Sequence, residues 1–593
     1  MKVSRRTIRL MVPFIAAVGI VWFMIFNWDL IDDIIAGDII ETESKAPLSA
    51  LEKLMKKLRL RPFPDDSPTS YSPVSRYVTR ARYKHLNPMV GYAGGKAKKD
   101  DIFKERSGNV CESIMHRSTG PVDATAPQDF DDPRAKEDLD EYLKSSGYIE
   151  FGNTTEMKRW HRFSNSAVWL PRDNCYLMVT RYIYELHGRS RPQFSLCRMQ
   201  LYDSAWKELF DKRIRYIDVK KEEVTQIVDK YFGSGEQDES LLDKISLKFP
   251  TFLDVDMKQV ENGAYKLAGP EDPRIGLRSN KVVGDEPLVI FNMLNDDNKR
   301  AMFAAFPLRK PDKDDGKAQM TELKYIDPNG KQKGLEKNWT PFFEVDDSVF
   351  DHDSFGKMHF VYDFNDMTIL SCDLNSGKCE KVSEGLGYDE KKLKDIKPEI
   401  RKKIYLRGGT NLIPFPKEFM DNVFSKEVSS DIQLWFGFAK THAESCGCGS
   451  TTYRPNLCVM SKIKEVYKYE LLGSSTEFGM DVLSWNTDSP KCEVQGPNVL
   501  AANSIAFWDV KKAKSGFEDY MAVTISEGDR VTRRIILKNL ANYIASLYKN
   551  EKDVVQDTSL PLARARLATD CTLSSSFEHC KLYGHAHARL ARM

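Results

Sequence analysis

The sequence predicts a mostly β protein, a propeller or a sandwich with a few helices, carried behind an N-terminal transmembrane helix and a stem. Three observations predict it. From about residue 147 short apolar runs recur, bounded by turn residues and without the βαβ alternation of a doubly wound sheet. The 593 residues include 31 Phe, 24 Tyr and 9 Trp, a supply of aromatics that suits β-structure or the handling of sugar rings. Near the start, the 17 residues from Leu10 to Phe26 carry no charge.

Composition narrows the function classes. Lys plus Arg is 88 and Asp plus Glu is 86, a net charge of +2, which argues against nucleic-acid binding through bulk charge. The hydrophobic fraction of 41% supplies a sizeable core and is too small for a polytopic membrane protein.

The elements are justified in chain order. Residues 1–9 read as a cytosolic tail and 10–28 as a signal-anchor, because a span needs about 20 apolar residues and tolerates about 17. Lys2, Arg5, Arg6 and Arg9 precede the span, and Asp29, Asp32, Asp33, Asp38 and Glu41 follow it. The positive-inside rule then places the rest of the chain in the lumen, as a single-pass type II protein. A cleaved signal peptide is the alternative. Bulky Trp22, Phe23, Met24, Ile25 and Phe26 close the run and favour an uncleaved anchor. So short a span suits the Golgi or another early secretory membrane.

Residues 29–146 read as luminal stem and N-terminal extension. Leu48, Leu51, Leu54, Met55 and Leu58 recur at helical spacing among lysines, and the pattern breaks at the proline-rich run from Arg61 to Pro68. Residues 147–550 are expected to form one large, mostly β domain. Strands are expected over 167–170, 175–184, 288–294, 359–364, 368–370, 434–439, 457–460, 503–508 and 520–525. Turns such as Pro171 to Asn174 join them. Helices are expected near 221–232, 388–404 and 534–549. Residues 551–593 are expected to be a loosely packed, basic C-terminal tail.

Eleven cysteines in an oxidising lumen read as disulfides. Cys372 and Cys379 flank a turn composition and suit a hairpin staple, and Cys571 with Cys580 would close a second local loop. His442, Cys446, Cys448 and Cys458 admit a zinc reading, but their spacing matches no common metal motif and a disulfide cluster is favoured. The sequon at Asn153 is expected to be glycosylated.

The chemistry-bearing segment is Gly269-Pro270-Glu271-Asp272-Pro273-Arg274. Two carboxylates, an arginine and a proline that fixes φ form a stiff loop presenting Asp272. A plain turn with an Asp–Arg salt bridge is the competing reading.

Glu271-Asp272-Pro273-Arg274 is similar to the signature of the β-mannoside phosphorylase five-bladed propellers. Asn165 with Arg181, the Lys337-Asn338-Trp339 run, Arg407-Gly408-Gly409 with His442, Tyr453 and Arg454, and Asp529 follow in the order that likeness implies. More specifically, the chain resembles the fungal β-1,2-mannosyltransferase family. The Cys-Gly-Cys-Gly run before Thr452-Tyr453-Arg454 and the segments Leu483 to Asn486 and Ile525 to Arg530 carry that resemblance.

It implies a five-bladed propeller-like catalytic domain that takes mannose from GDP-mannose. Mannose passes with inversion to mannan or to glycoprotein and cell-wall mannosides, with Asp272 as catalytic base. Arg181, Arg274, Lys337, His442 and Arg454 would bind the donor phosphates. Asn165, Glu271, Asn338, Trp339 and Asp529 would bind sugar, so the sequon at Asn338 is read as part of the site. A divalent cation (Mn or Mg) stays open. Asp254-Val255-Asp256 is the best Asp-x-Asp candidate, and Asp138-Leu139-Asp140 and Asp351-His352-Asp353 share the pattern. The alternatives are a luminal β-mannoside phosphorylase or hydrolase, for which Asp346, Asp347 and Asp363 are candidate second carboxylates, and a non-catalytic glycan-binding propeller.

Overall fold

Apolar runs separated by short turns lose least chain entropy by pairing with their sequence neighbours. The computed structural model follows that rule within its meanders. It describes residues 50–58, 60, 61, 63, 71–74, 123–128, 133–145, 159–547 and 559–590. Within the two long stretches, 186–191, 234–236, 260–266, 315, 328–333, 345, 346, 348, 365, 366, 384–399, 401, 464, 473, 474, 481, 487–491, 494 and 495 are not described. The expected span over 10–28, Asn153 and most of the helix expected over 388–404 therefore lie outside the described residues. Among the described residues no helix is long and apolar enough to cross a membrane.

The chain begins with α1 (Ala50–Lys57), β1 (Asp123–Ala124) and α2 (Pro133–Ser145). The first meander is β2 (Trp160–Leu170), β3 (Cys175–Tyr184) and β4 (Phe194–Tyr202), its first hairpin turning at Pro171 to Asn174 as expected. β5 (Glu208–Leu209) adds to the edge of β4. An excursion follows through β6 (Lys212–Arg215), α3 (Lys221–Gly233), α4 (Glu239–Asp243) and β7 (Ser246–Phe249). β8 (Thr251–Phe252), β9 (Lys258–Gln259) and β10 (Leu267–Ala268) then complete that sheet.

The second meander is β11 (Glu271–Asn280), β12 (Gly284–Leu294), β13 (Arg300–Ala305) and β14 (Met320–Tyr325). The third is β15 (Thr340–Phe342), β16 (Lys357–Asp363), β17 (Thr368–Asp373) and β18 (Lys378–Lys381). In the fourth, β19 (Ile404–Gly408) and β20 (Ile413–Pro414) share β21 (Ile432–Glu444), followed by β22 (Thr451–Ile463) and β23 (Val466–Leu471). α5 (Lys417–Val423) and α6 (Lys426–Asp431) fill the gap between β20 and β21. The fifth is β24 (Asn498–Lys512), β25 (Phe517–Glu527) and β26 (Val531–Leu537), and β1 adds its outer strand with Asp123 opposite Ile536. α7 (Leu540–Leu547) and α8 (Ser559–Leu590) end the described chain.

The first strands of the meanders meet one another as a ring. Ile275 N–H donates to Ser166 Oγ at 2.9 Å, and Ala167 N–H donates to Ser504 Oγ at 2.7 Å. Ile505 N–H donates to Asn411 Oδ1 at 3.1 Å, and Leu412 N–H donates to Pro341 O at 3.0 Å. β11 packs beside β15 and completes the circuit. These strands converge too steeply to pair as a sheet, so short polar side chains satisfy their backbone groups. Sheets stacked around such a ring are covered on both faces. That is why β2, β3 and β4 are buried at every position, their polar residues included, and show no polar outer face. The fold is mostly β and propeller-like.

Several expectations are corrected. No helix covers 534–549: the chain stays in β26 to Leu537, turns at Asn539 with φ 66°, and only then forms α7. The region read as a membrane-proximal stem helix with a proline-rich spacer is packed on the domain. Met55 and Leu60 of that region pack with Val224, Val228 and Leu242 of α3 and α4. Arg61 is buried against Asp173, its Nε 2.7 Å from the carboxylate. The Glu271–Arg274 segment is the bulged start of β11, not a free loop. The C-terminal tail is not loosely packed: α8 buries Leu573, Phe577 and Cys580. Cys372 pairs with Cys379 as expected, but Cys580 pairs with Cys446 rather than Cys571, and Cys448 pairs with Cys492.

Candidate active site

The first residues of the five ring strands, and the turns beside them, gather at one end of the ring. Asp272 sits there. β11 carries a bulge between Glu271 and Arg274, and Asp272 occupies it with φ 52°. A bulge re-aims a side chain. Pro273 cannot donate to the ladder and so tolerates the broken pairing.

About a third of the Asp272 side chain remains exposed, and its carboxylate lies 3.5 Å from Arg181. Arg181 also contacts Glu271 at 3.1 Å and donates from Nε to Ser195 Oγ at 2.9 Å. Arg300 holds the other oxygen of Glu271 at 2.6 Å. Glu271 is thus engaged on both sides and orients Arg181, while Asp272 keeps an open face.

Arg274 on the same strand and cations from other meanders complete the site. Arg274 Nε donates to Gly409 O at 2.5 Å, and its Nη1 donates to Pro273 O at 2.9 Å. Gly408 lets the third meander come close, since a Cβ there would meet Asn338 O at 2.1 Å. Burial works against the charge of Asp272. The surrounding Arg181, Arg274, Lys440 and Lys337 outweigh it and hold the carboxyl below the usual carboxylate range.

Burial and then Arg274 push the Lys440 ammonium down to about 8. Asp272 and Asp529 oppose that fall, and Lys337 adds to it. Lys440 lies over the Tyr453 ring at 5.6 Å. His442 stacks flat on that ring, centroids 4.6 Å apart and planes 2° apart. Burial lowers the pKa of His442, opposed by Glu444 and reinforced by Arg407, Lys440 and Lys337, so its ring is neutral at pH 7. Among the described residues its buried Nε2 has no hydrogen-bond partner.

The structure therefore brings together Asp272, Glu271, Arg181, Arg274, Lys337, His442 and Asp529. Asn338, with φ 62°, follows Lys337 at the start of the third meander. Three nominated residues stand elsewhere, for physical reasons. Asn165 is 1% exposed, accepts from Asn503 and supports the join between the first and fifth meanders. Trp339 is buried, donates to Glu336 at 3.1 Å and packs edge-on against Phe360 and Tyr362. Arg454 points away from Tyr453, because successive strand residues face opposite sides, and binds Glu477 at 2.9 Å.

Lys440, Arg407, Tyr453 and Arg300 belong to the site and were not nominated. Lys440 and His442 alternate on one strand, opposite Arg407 and Tyr405. Their period of two was the one signal available.

The Asp-x-Asp carboxylates of 254–256 and 138–140 are taken up in hydrogen bonds and ion pairs. Asp254 accepts from Tyr142 at 3.2 Å and Asp256 pairs with Lys317 at 3.0 Å. Asp138 pairs with Arg198, and Asp140 with Lys136. Among the described residues no group of three His, Cys, Asp or Glu side chains could hold a metal ion. Of the second-carboxylate candidates, Asp347 is buried against His359 at 2.7 Å, and Asp346 lies outside the described residues.

The family model for Beta-mannosyltransferases matches residues 122–579. Beta-mannosyltransferase 4 of Komagataella phaffii is 33% identical over 434 residues, which is 73% of this chain and 72% of that protein. Beta-mannosyltransferase 1 of the same yeast is 30% identical over 453 residues, 73% of this chain and 61% of that protein. Beta-mannosyltransferase 7 of Candida albicans is 30% identical over 497 residues, 74% of this chain and 71% of that protein. A solved mannose phosphorylase from Leishmania mexicana covers 69% of this chain and 96% of its own at 10% identity and a TM-score of 0.29, too slight a likeness to bear on the fold. With the family match spanning most of the chain and the relatives agreeing, the protein belongs to the beta-mannosyltransferase family of glycosyltransferases.

Proposed function

We propose that this chain is a β-1,2-mannosyltransferase that transfers mannose from GDP-mannose, with inversion, to mannan or to glycoprotein and cell-wall mannosides. Its five meanders act as the blades of one propeller. Residues 10–28 anchor the chain as a type II protein of the Golgi or another early secretory membrane, with the catalytic domain luminal.

One observation carries the reading. Lys337 and Lys440 form no salt bridge among the described residues, and Arg274 donates to carbonyls and to Ser164 rather than to a carboxylate. Arg274 is buried and Lys440 half-buried, with Asp272 and Asp529 as partial compensation, and such cations are costly unless a further anion joins them. A diphosphate supplies that anion, and the neutral His442 adds an N–H donor.

The chemistry follows from the charges. The acceptor 2-hydroxyl attacks the anomeric carbon from the face opposite the diphosphate. The bond from that carbon to the phosphate oxygen breaks, and its electron pair leaves with the diphosphate, stabilised by Arg274, Lys337 and Lys440. The acceptor proton passes to Asp272, directly or through a sugar hydroxyl. Arg181, held by Glu271, orients Asp272, and Asn338 and Asp529 hold sugar hydroxyls.

The same cations would accept inorganic phosphate. The test is therefore paired: purified luminal protein is given GDP-mannose with mannoside acceptors, or phosphate with a β-1,2-mannobioside. Transfer in the first arm alone supports the reading. Phosphorolysis in the second overturns it.

A further inference from the structure

The β21–β22 hairpin bears Lys440, His442 and Tyr453 close to its tip. Beyond Glu444 the tip is Ser445-Cys446-Gly447-Cys448-Gly449-Ser450, with Gly447 and Gly449 at positive φ. Such a segment has only its two cysteines, Cys446 and Cys448, to bury. Its position is fixed from outside, by the C-terminal helix.

Cys446 is bonded to Cys580 of α8 across 134 residues, and Cys448 to Cys492 across 44. The helix lies directly on the tip, since a Cβ on Gly584 would stand 2.2 Å from Gly447 O. Thr452 Oγ1 donates to Cys448 O at 2.7 Å and ties the tip back to β22.

A polar chain runs in parallel with the disulfide. His579 Nε2 lies 2.7 Å from both carboxylate oxygens of Glu477, and Glu477 accepts from Arg454 Nε at 2.9 Å. Arg454 Nη1 in turn donates to Tyr453 O at 2.8 Å and to Asn498 O at 3.1 Å. Burial opposes the Glu477 charge, yet His579 and Arg454 hold its carboxyl down at about 2, so Glu477 stays charged at any working pH. Arg454 faces the helix while its neighbour Tyr453 faces the site. The strand therefore passes the helix's position on to the ring on which His442 stacks.

We propose that α8 is a positioning element for the phosphate end of the active site. Cys446, Cys580, Glu477 and His579 hold Lys440, His442 and Tyr453 in place without touching substrate. The proposal rests on the donor reading above, so it is read by GDP binding as well as by turnover.

The test uses the luminal protein with Cys446→Ser/Cys580→Ser, with His579→Ala, and with Cys372→Ser/Cys379→Ser as a control that breaks the third-meander hairpin. GDP dissociation constant, donor KM, acceptor KM and melting temperature are measured for each. The first two variants should raise donor KM and GDP Kd at least fivefold with acceptor KM unchanged, and the control should move neither constant. Should the double cysteine variant fail to fold, His579→Ala keeps the disulfide and reads the same displacement. Unchanged GDP affinity in a folded His579→Ala protein, or an equal rise in the control, would overturn the positioning role. A wild-type protein that binds no GDP sinks the donor reading itself, which is a distinguishable result.

Discussion

Lys440 offers the sharpest perturbation of the site. It stands among Arg274 and Lys337 with Asp272 and Asp529 as partial compensation, and its ammonium is brought down to about 8. Lys440→Gln removes one charged donor from the diphosphate. A hydrogen bond to a charged group contributes about 1.5–3 kcal/mol, so donor KM should rise about 10- to 150-fold, at about 1.4 kcal/mol per tenfold.

The sign of the pH effect follows from the same group. Below pH 8 Lys440 is positive and attracts the diphosphate. Above pH 8 it is neutral and does not. kcat/KM for the donor, which reports the free enzyme, should therefore fall as pH rises through about 8. Lys440→Arg keeps its charge at every accessible pH and should flatten that limb. The assay is initial-rate transfer from GDP-mannose between pH 6 and 9.5. A limb near 8 that survives in Lys440→Arg would refute the reasoning, as would an unchanged donor KM in Lys440→Gln.

Other substitutions separate site from scaffold. Asp272→Asn should lower kcat about 10²- to 10⁴-fold, the usual contribution of a general base, with the melting temperature unchanged by calorimetry. Asn165→Ala should destabilise the fold by about 1–3 kcal/mol in urea unfolding, because it leaves the buried Asn503 amide with one partner fewer. Donor KM of the folded fraction should not move. Asp519 accepts from the backbone N–H groups of Asn539, Leu540 and Ala541 at the start of α7. Asp519→Ala should cost about 1–2 kcal/mol as a lost helix cap, again without changing KM.

The sequence disclosed the strands well, because ring packing buries both faces of each sheet and leaves runs such as Cys175 to Tyr184 that have no helical period. It failed at 534–549, where Ile535 and Leu537 belong to a fully buried strand and only the later leucine and isoleucine to a helix. Apolar spacing cannot separate the two states over so short a stretch. Asp272 was legible from Pro-Glu-Asp-Pro-Arg, since a strained, proline-stiffened carboxylate is a local feature.

Lys440 was not, because its chemistry comes from Arg274, Lys337, Asp272 and Asp529, which reach it from other meanders. Asn165 and Trp339 misled for the converse reason. Polar and aromatic side chains beside a site motif look like ligand contacts, yet near the ring axis the same residue types satisfy backbone groups and fill the core. The pairing of Cys446 with Cys580 was beyond reach, since connectivity follows from the docking of α8 and not from spacing.

The central claim is that Asp272 and its surrounding cations drive an inverting transfer from a nucleotide donor. The most direct measurement is linkage and anomeric analysis of the product made by purified luminal protein from GDP-mannose and defined α- and β-mannosides, with Asp272→Asn alongside. The account predicts a β-1,2-linked mannose that appears only with the nucleotide donor and is lost in a folded Asp272→Asn protein. An α-linked product, or undiminished transfer by that variant, would contradict it.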